Sequence, residues 1–74
     1  MNDTKKVSSK YFTSSNIKYL YYDNGNISVK KWYNNSDQLH KFSGPAVIFY
    51  DKDGNIMIEK WYFNGNKIYE RNHI

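Results

Sequence analysis

Apolar residues recur at every second position in two separate stretches of this chain. Ile27, Val29 and Tyr33 share one side of an extended segment with Lys31, and Ser28, Lys30 and Trp32 share the other. Further along, Ile56, Ile58, Lys60 and Tyr62 reproduce the first set, and Met57, Glu59 and Trp61 the second. A period of two is the mark of a half-buried strand, because successive side chains of extended backbone point to opposite faces. The breaks between stretches are equally regular. "DNGN" at 23–26, "DKDGN" at 51–55 and "NGN" at 64–66 hold Asn-Gly or Asp-Gly pairs, which tolerate the positive φ of tight hairpin turns. "SGPA" at 43–46 interrupts any strand before it, since Pro45 has no N–H to give a ladder. The pattern predicts strands over 17–22, 27–33, 38–42, 46–50, 56–62 and 67–71. Residues 7–13 either add an edge strand or lie across one face, and residues 1–6 are expected to be a mobile tail.

The two stretches are copies of one unit. Shifting the chain by 29 positions brings Tyr21 onto Tyr50, Gly25 onto Gly54, Asn26 onto Asn55, Ile27 onto Ile56, Lys31 onto Lys60, Trp32 onto Trp61, Tyr33 onto Tyr62 and Asn35 onto Asn64 without a gap. Identity at turn and aromatic positions predicts that the same hairpin is built twice. The expected fold is therefore all-β: an antiparallel meander of about six strands made of two 29-residue β-hairpin repeats. A tail over 1–16, with an edge strand as an option, precedes a domain over 17–74, its repeats running about 17–45 and 46–74.

Composition narrows the chemistry. In 74 residues there is no cysteine, which removes disulfides and thiolate metal sites and fits a reducing compartment. Aromatics make up 19%, with eight Tyr, two Trp and four Phe. Such rings suit pleated surfaces and interfaces where one end packs and the other stays wet. No stretch has the length of a signal-peptide core or a membrane span, so an unexported, cytoplasmic protein without membrane contact is expected. The net charge of +4 sits in the first half: Lys5, Lys6, Lys10, Lys18, Lys30 and Lys31 against Asp3 and Asp23, with bases and acids balanced from Trp32 onward.

"YDKDGN" at 50–55 also resembles the opening of a calcium loop. An EF-hand loop, however, needs Gly at its sixth position and Glu at its twelfth, between helices. Counted from Asp51, those positions hold Ile56 and Tyr62, and strands flank the turn. The acids are expected to cap their own turn. Catalysis is poorly provided for as well. His40 and His73 are far apart in sequence, and His40 is expected to pack or hydrogen-bond. Glu59 and Glu70 lack an acidic partner at catalytic spacing, and no Gly-rich phosphate loop appears. No enzyme activity, cofactor or metal is expected.

"LHKFSGPAVIFYDKDGNIMIEKWYFNGNKIY", from Leu39 on, resembles the MORN-like repeats of the YwqK-type antitoxin family and of related phage and giant-virus arrays. The likeness spans about residues 19–69 and rests on Leu39, His40, Gly44, Pro45, Ala46, Gly54, Asn55, Trp61, Tyr62, Asn64 and Gly65. Ser43 departs from the Asp usual before Gly-Pro, and "NNSDQ" at 34–38 replaces the first Asn-Gly turn. The resemblance implies hairpin repeats used for binding. Trp32, Tyr33, Trp61 and Tyr62, with Lys30 and Lys31, are the expected partner-binding residues. The leading expectation is a non-enzymatic module that binds and inhibits a larger protein, as an antitoxin or a phage anti-defence factor does. The alternatives are nucleic-acid binding through a basic aromatic face and a structural homo-oligomer; a homodimer would also supply the cover that two repeats lack.

Overall fold

The computed structural model describes Tyr11–Phe12 and residues 16–74, and contains no helix among them. Six strands follow in chain order, β1 (Tyr11–Phe12), β2 (Ile17–Tyr21), β3 (Ile27–Trp32), β4 (Val47–Tyr50), β5 (Ile56–Phe63) and β6 (Asn66–Asn72). They form one antiparallel sheet in the spatial order β1-β2-β3-β4-β5-β6, a meander in which each strand pairs with its neighbours in sequence. Among the described residues, no helix is long and apolar enough to cross a membrane.

The sequence repeat is a backbone repeat. In the β2–β3 hairpin the Tyr22 N–H donates to the Asn26 carbonyl (2.8 Å) and the Gly25 N–H to the Tyr22 carbonyl (3.0 Å). In the β4–β5 hairpin Asp51, Asn55 and Gly54 make the same two bonds at 2.8 and 3.1 Å. Gly25 and Gly54 adopt φ of 92° and 93°, which an L side chain adopts only with strain. The register then shifts at Leu20/Tyr21 in one copy and at Phe49/Tyr50 in the other. The two turns lie side by side, and the first is fastened to the second. Tyr22 Oη donates to the Tyr50 carbonyl at 2.6 Å, and the Asn24 and Asn26 amides both donate to the Lys52 carbonyl, at 3.0 and 2.7 Å. β5 and β6 are joined by Asn64-Gly65, both at positive φ, as a two-residue hairpin turn requires.

The predicted strand over 38–42 does not form. Leu39 makes one isolated bridge to Tyr33, and the segment then divides its bonds between two strands. The His40 N–H donates to the Trp32 carbonyl on the β3 side, whereas the Lys41 N–H donates to Tyr62 and the Leu39 carbonyl accepts from Gly65 on the β5 side. A ladder needs consecutive bonds to one neighbour, and this short run before Gly-Pro supplies them to neither. The Asn34 side chain closes the preceding loop by accepting from the Ser36 and Gln38 N–H groups, with Asp37 at φ 66°. β4 starts at Val47 rather than at Ala46 for a related reason. Ala46 gives its N–H to Lys60 and its carbonyl to Trp32, tying β3 and β5 through one residue. Of residues 7–13, Tyr11–Phe12 form an edge strand on Ile17–Lys18; the rest, and the tail expected over 1–6, lie outside the described residues.

The molecule measures 39 × 31 × 14 Å, the thickness of a single sheet. With no second layer packed on the sheet among the described residues, the core is correspondingly thin. Among the described residues, Ala46, Val47 and Ile48, at 0%, 3% and 9% exposure, are the buried hydrophobics, all at the centre of the sheet.

Candidate interaction face

Cross-strand register assigns every strand residue to a face, because directly opposed residues point the same way. One face carries Tyr19, Lys30, Ile48, Glu59 and Arg71 in a row across five strands, with Ile17 opposite Trp32 and Trp61 opposite Tyr69 in the next row. The other carries Lys18, Lys31, Val47, Lys60 and Glu70 in a row, beside a row of Leu20, Val29, Phe49 and Ile58. The six expected binding residues are therefore divided. Lys30, Trp32 and Trp61 share the first, or tryptophan, face; Lys31, Tyr33 and Tyr62 share the second, or lysine, face. All six are half-buried.

On the tryptophan face the two equivalent indoles have different neighbours. Lys41 Nζ sits 3.7 Å from the Trp32 ring centre, and Lys30 Nζ lies 5.4 Å from the same ring and 5.7 Å from that of Tyr19. Trp61 instead packs on Tyr69, with ring centres 5.1 Å apart, and the Arg71 guanidinium lies 5.5 Å from its centre. Glu59 Oε1 lies 2.6 Å from His73 Nε2, and Arg71 Nη1 is 3.8 Å away. These neighbours leave their mark on ionisation. Burial, and secondarily the charge of Lys30, push the Lys41 ammonium below its ordinary range. Burial, then the negative charge of Glu59 and the Tyr19 phenol, push the Tyr50 hydroxyl up.

On the lysine face, ammonium groups again cover rings: Lys18 lies 5.3 Å from Tyr33 and Lys60 5.3 Å from Phe49. Lysine stems laid over aromatics are how a single layer limits the apolar area left to water. Lys18 directly opposes Lys31, an arrangement of like charges that costs rather than contributes stability.

The remaining candidate groups serve the turns. The Asp51 carboxylate accepts from the Asp53 and Asn55 N–H groups, each at 2.9 Å, so the acids of "DKDGN" hold their own hairpin. His40 Nδ1 accepts from the Asn64 N–H at 2.9 Å, and its ring packs between Phe42 and Phe63, with centres 4.9 and 4.7 Å away. Its neutral form thus carries the proton on Nε2. His40 Nδ1 is thus engaged by a backbone N–H, and His73 Nε2 by Glu59.

Sequence reasoning missed Lys41, Tyr19, Tyr69 and Arg71. The last three are register partners of Lys30, Trp61 and Glu59, and turn lengths would have found them. Lys41 had no such signal, because it reaches Trp32 from an irregular segment. Searches of family models, curated proteins and solved structures return no match to this chain.

Proposed function

We propose that the chain is a non-catalytic interaction module of the MORN-like type, which docks its tryptophan face on a larger protein in the cytoplasm and inhibits it, as an antitoxin or an anti-defence factor does. The observation that supports this reading is a single layer that no second layer covers among the described residues. Two indoles and Tyr19 stand half-buried, beside the exposed Tyr69, on this face, and aromatic anchors are enriched at the centres of protein interfaces. The test is capture of partners from source-cell lysate by the tagged chain, with nuclease treatment and a high-salt wash. Trp61→Ala, verified as folded by circular dichroism, abolishes capture of a salt-resistant protein; unchanged capture removes the tryptophan face from the assignment.

A second reading is nucleic-acid binding on the lysine face, favoured by the in-register row of Lys18, Lys31 and Lys60. It requires affinity for oligonucleotides that falls steeply with salt and is lost in Lys31→Gln. Salt-insensitive binding excludes it.

A further inference from the structure

Resting on the interaction reading, we propose that the corner formed by Lys30, Trp32 and Lys41 is an anchor for carboxylates, so that the partner presents an acidic protein segment to this face. Two ammonium groups converge on one indole here, at 3.7 and 5.4 Å from its centre. Among the described residues, neither makes an ion pair with a carboxylate. The single carboxylate in the strand rows of that face, Glu59, has a side chain only 13% exposed and already meets Arg71 and His73.

The Lys41 stem runs beside Gly44, and the indole lies beneath its ammonium. The lowered proton affinity of Lys41, due to lost hydration and to Lys30, is relieved when a carboxylate enters.

Two other occupants fit less well. Nucleic acid binds single-stranded through bases stacked on open rings. Here Trp32 is under an ammonium and Trp61 is against Tyr69 and Arg71, so stacking platforms are taken. A second copy laid on the same face would bring two further ammonium groups and a carboxylate that is already engaged.

The test uses the full chain, isotopically labelled, titrated with an Asp/Glu-only octapeptide and separately with a thymidine octanucleotide, following the Trp32 and Trp61 indole N–H signals. The expected result is a saturable shift of Trp32 with the peptide, weakened at least about tenfold in Lys41→Gln, retained in Lys41→Arg, and changed less than about twofold in Lys31→Gln on the opposite face. The proposal is overturned if Trp32 does not respond to the peptide, if Lys31→Gln weakens binding as much as Lys41→Gln, or if the oligonucleotide moves the same signal at lower concentration. The lysate experiment separates the two readings. Capture that survives Lys30→Gln/Lys41→Gln but not Trp61→Ala leaves the interaction module standing and removes the carboxylate anchor.

Discussion

Gly54→Ala isolates what the repeated turn asks of its glycine. Gly54 sits at φ 93°, and a Cβ built on it meets nothing within 4 Å, so the substitution changes backbone energy without adding or removing contacts. Placing an L residue in left-handed backbone costs about 1–2 kcal/mol. The added methyl also restricts the unfolded chain, returning about 0.4–1 kcal/mol. The net expectation is a loss of about 1 kcal/mol, which for a domain of this size lowers Tm by roughly 4–8 °C. Gly44→Ala is the internal control. Its φ is not positive, and its new methyl would touch only the flexible end of Lys41 at ordinary contact distances of 3.6–3.8 Å. There the unfolded-state effect acts alone, giving a neutral change or a gain of up to about 1 kcal/mol. Gly54→Asn should fall between the two, since Asn tolerates this region and Asn64 already occupies it at φ 48°. Urea unfolding followed by tryptophan fluorescence reads all three. Equal midpoints for Gly54→Ala and Gly44→Ala would refute the claim that the turn selects glycine for its φ.

Three further outcomes are expected. The Asp51 carboxyl is held below its usual range, chiefly by the Asn55 N–H and further by the Asn55 side chain and the Asp53 and Gly54 N–H groups. Because its folded-state pKa is depressed, its stabilisation is complete above the unfolded value near pH 4 and is lost as pH falls through the lower folded one. The stability gap between wild type and Asp51→Ala should accordingly close in urea titrations carried into that range. Tyr22→Phe removes the 2.6 Å bond that fastens one hairpin turn to the next and should cost about 1 kcal/mol. A loss no greater than that of an exposed Tyr69→Phe would show that the bond contributes nothing. Glu59→Gln leaves His73 and Arg71 without their shared carboxylate, and should speed amide exchange at residues 71–73 relative to the β2–β3 hairpin; uniform exchange changes would place its role elsewhere.

The repeat and its turns were readable from the chain because they depend on local chemistry. Alternation in 27–33 and 56–62 places Trp32 and Trp61 on one face, and Tyr33 and Tyr62 on the other, whatever the strands pair with. Asn-Gly and Asp-Gly mark where the chain reverses, and the structure places both hairpins there with matching φ at Gly25 and Gly54. The two-faced division of the expected binding residues follows from the same alternation. The segment 38–42 misled because its composition suits a strand, while its fate depended on how many consecutive bonds either neighbour could supply.

What the sequence determined by itself is thus the class of fold, the period and the turns, all of which rest on interactions a few residues apart. Only the tertiary structure decided that Trp32 lies beneath two ammonium groups while its equivalent Trp61 lies against Tyr69 and Arg71. The difference arises because Trp32 is followed by a loop that brings Lys41 back over its ring, whereas Trp61 is followed by a two-residue turn that brings a regular strand beside it. The two-residue turn sets the register that puts Tyr69 opposite Trp61, but the return of Lys41 over Trp32 comes from an irregular segment, and no spacing in the chain encodes it.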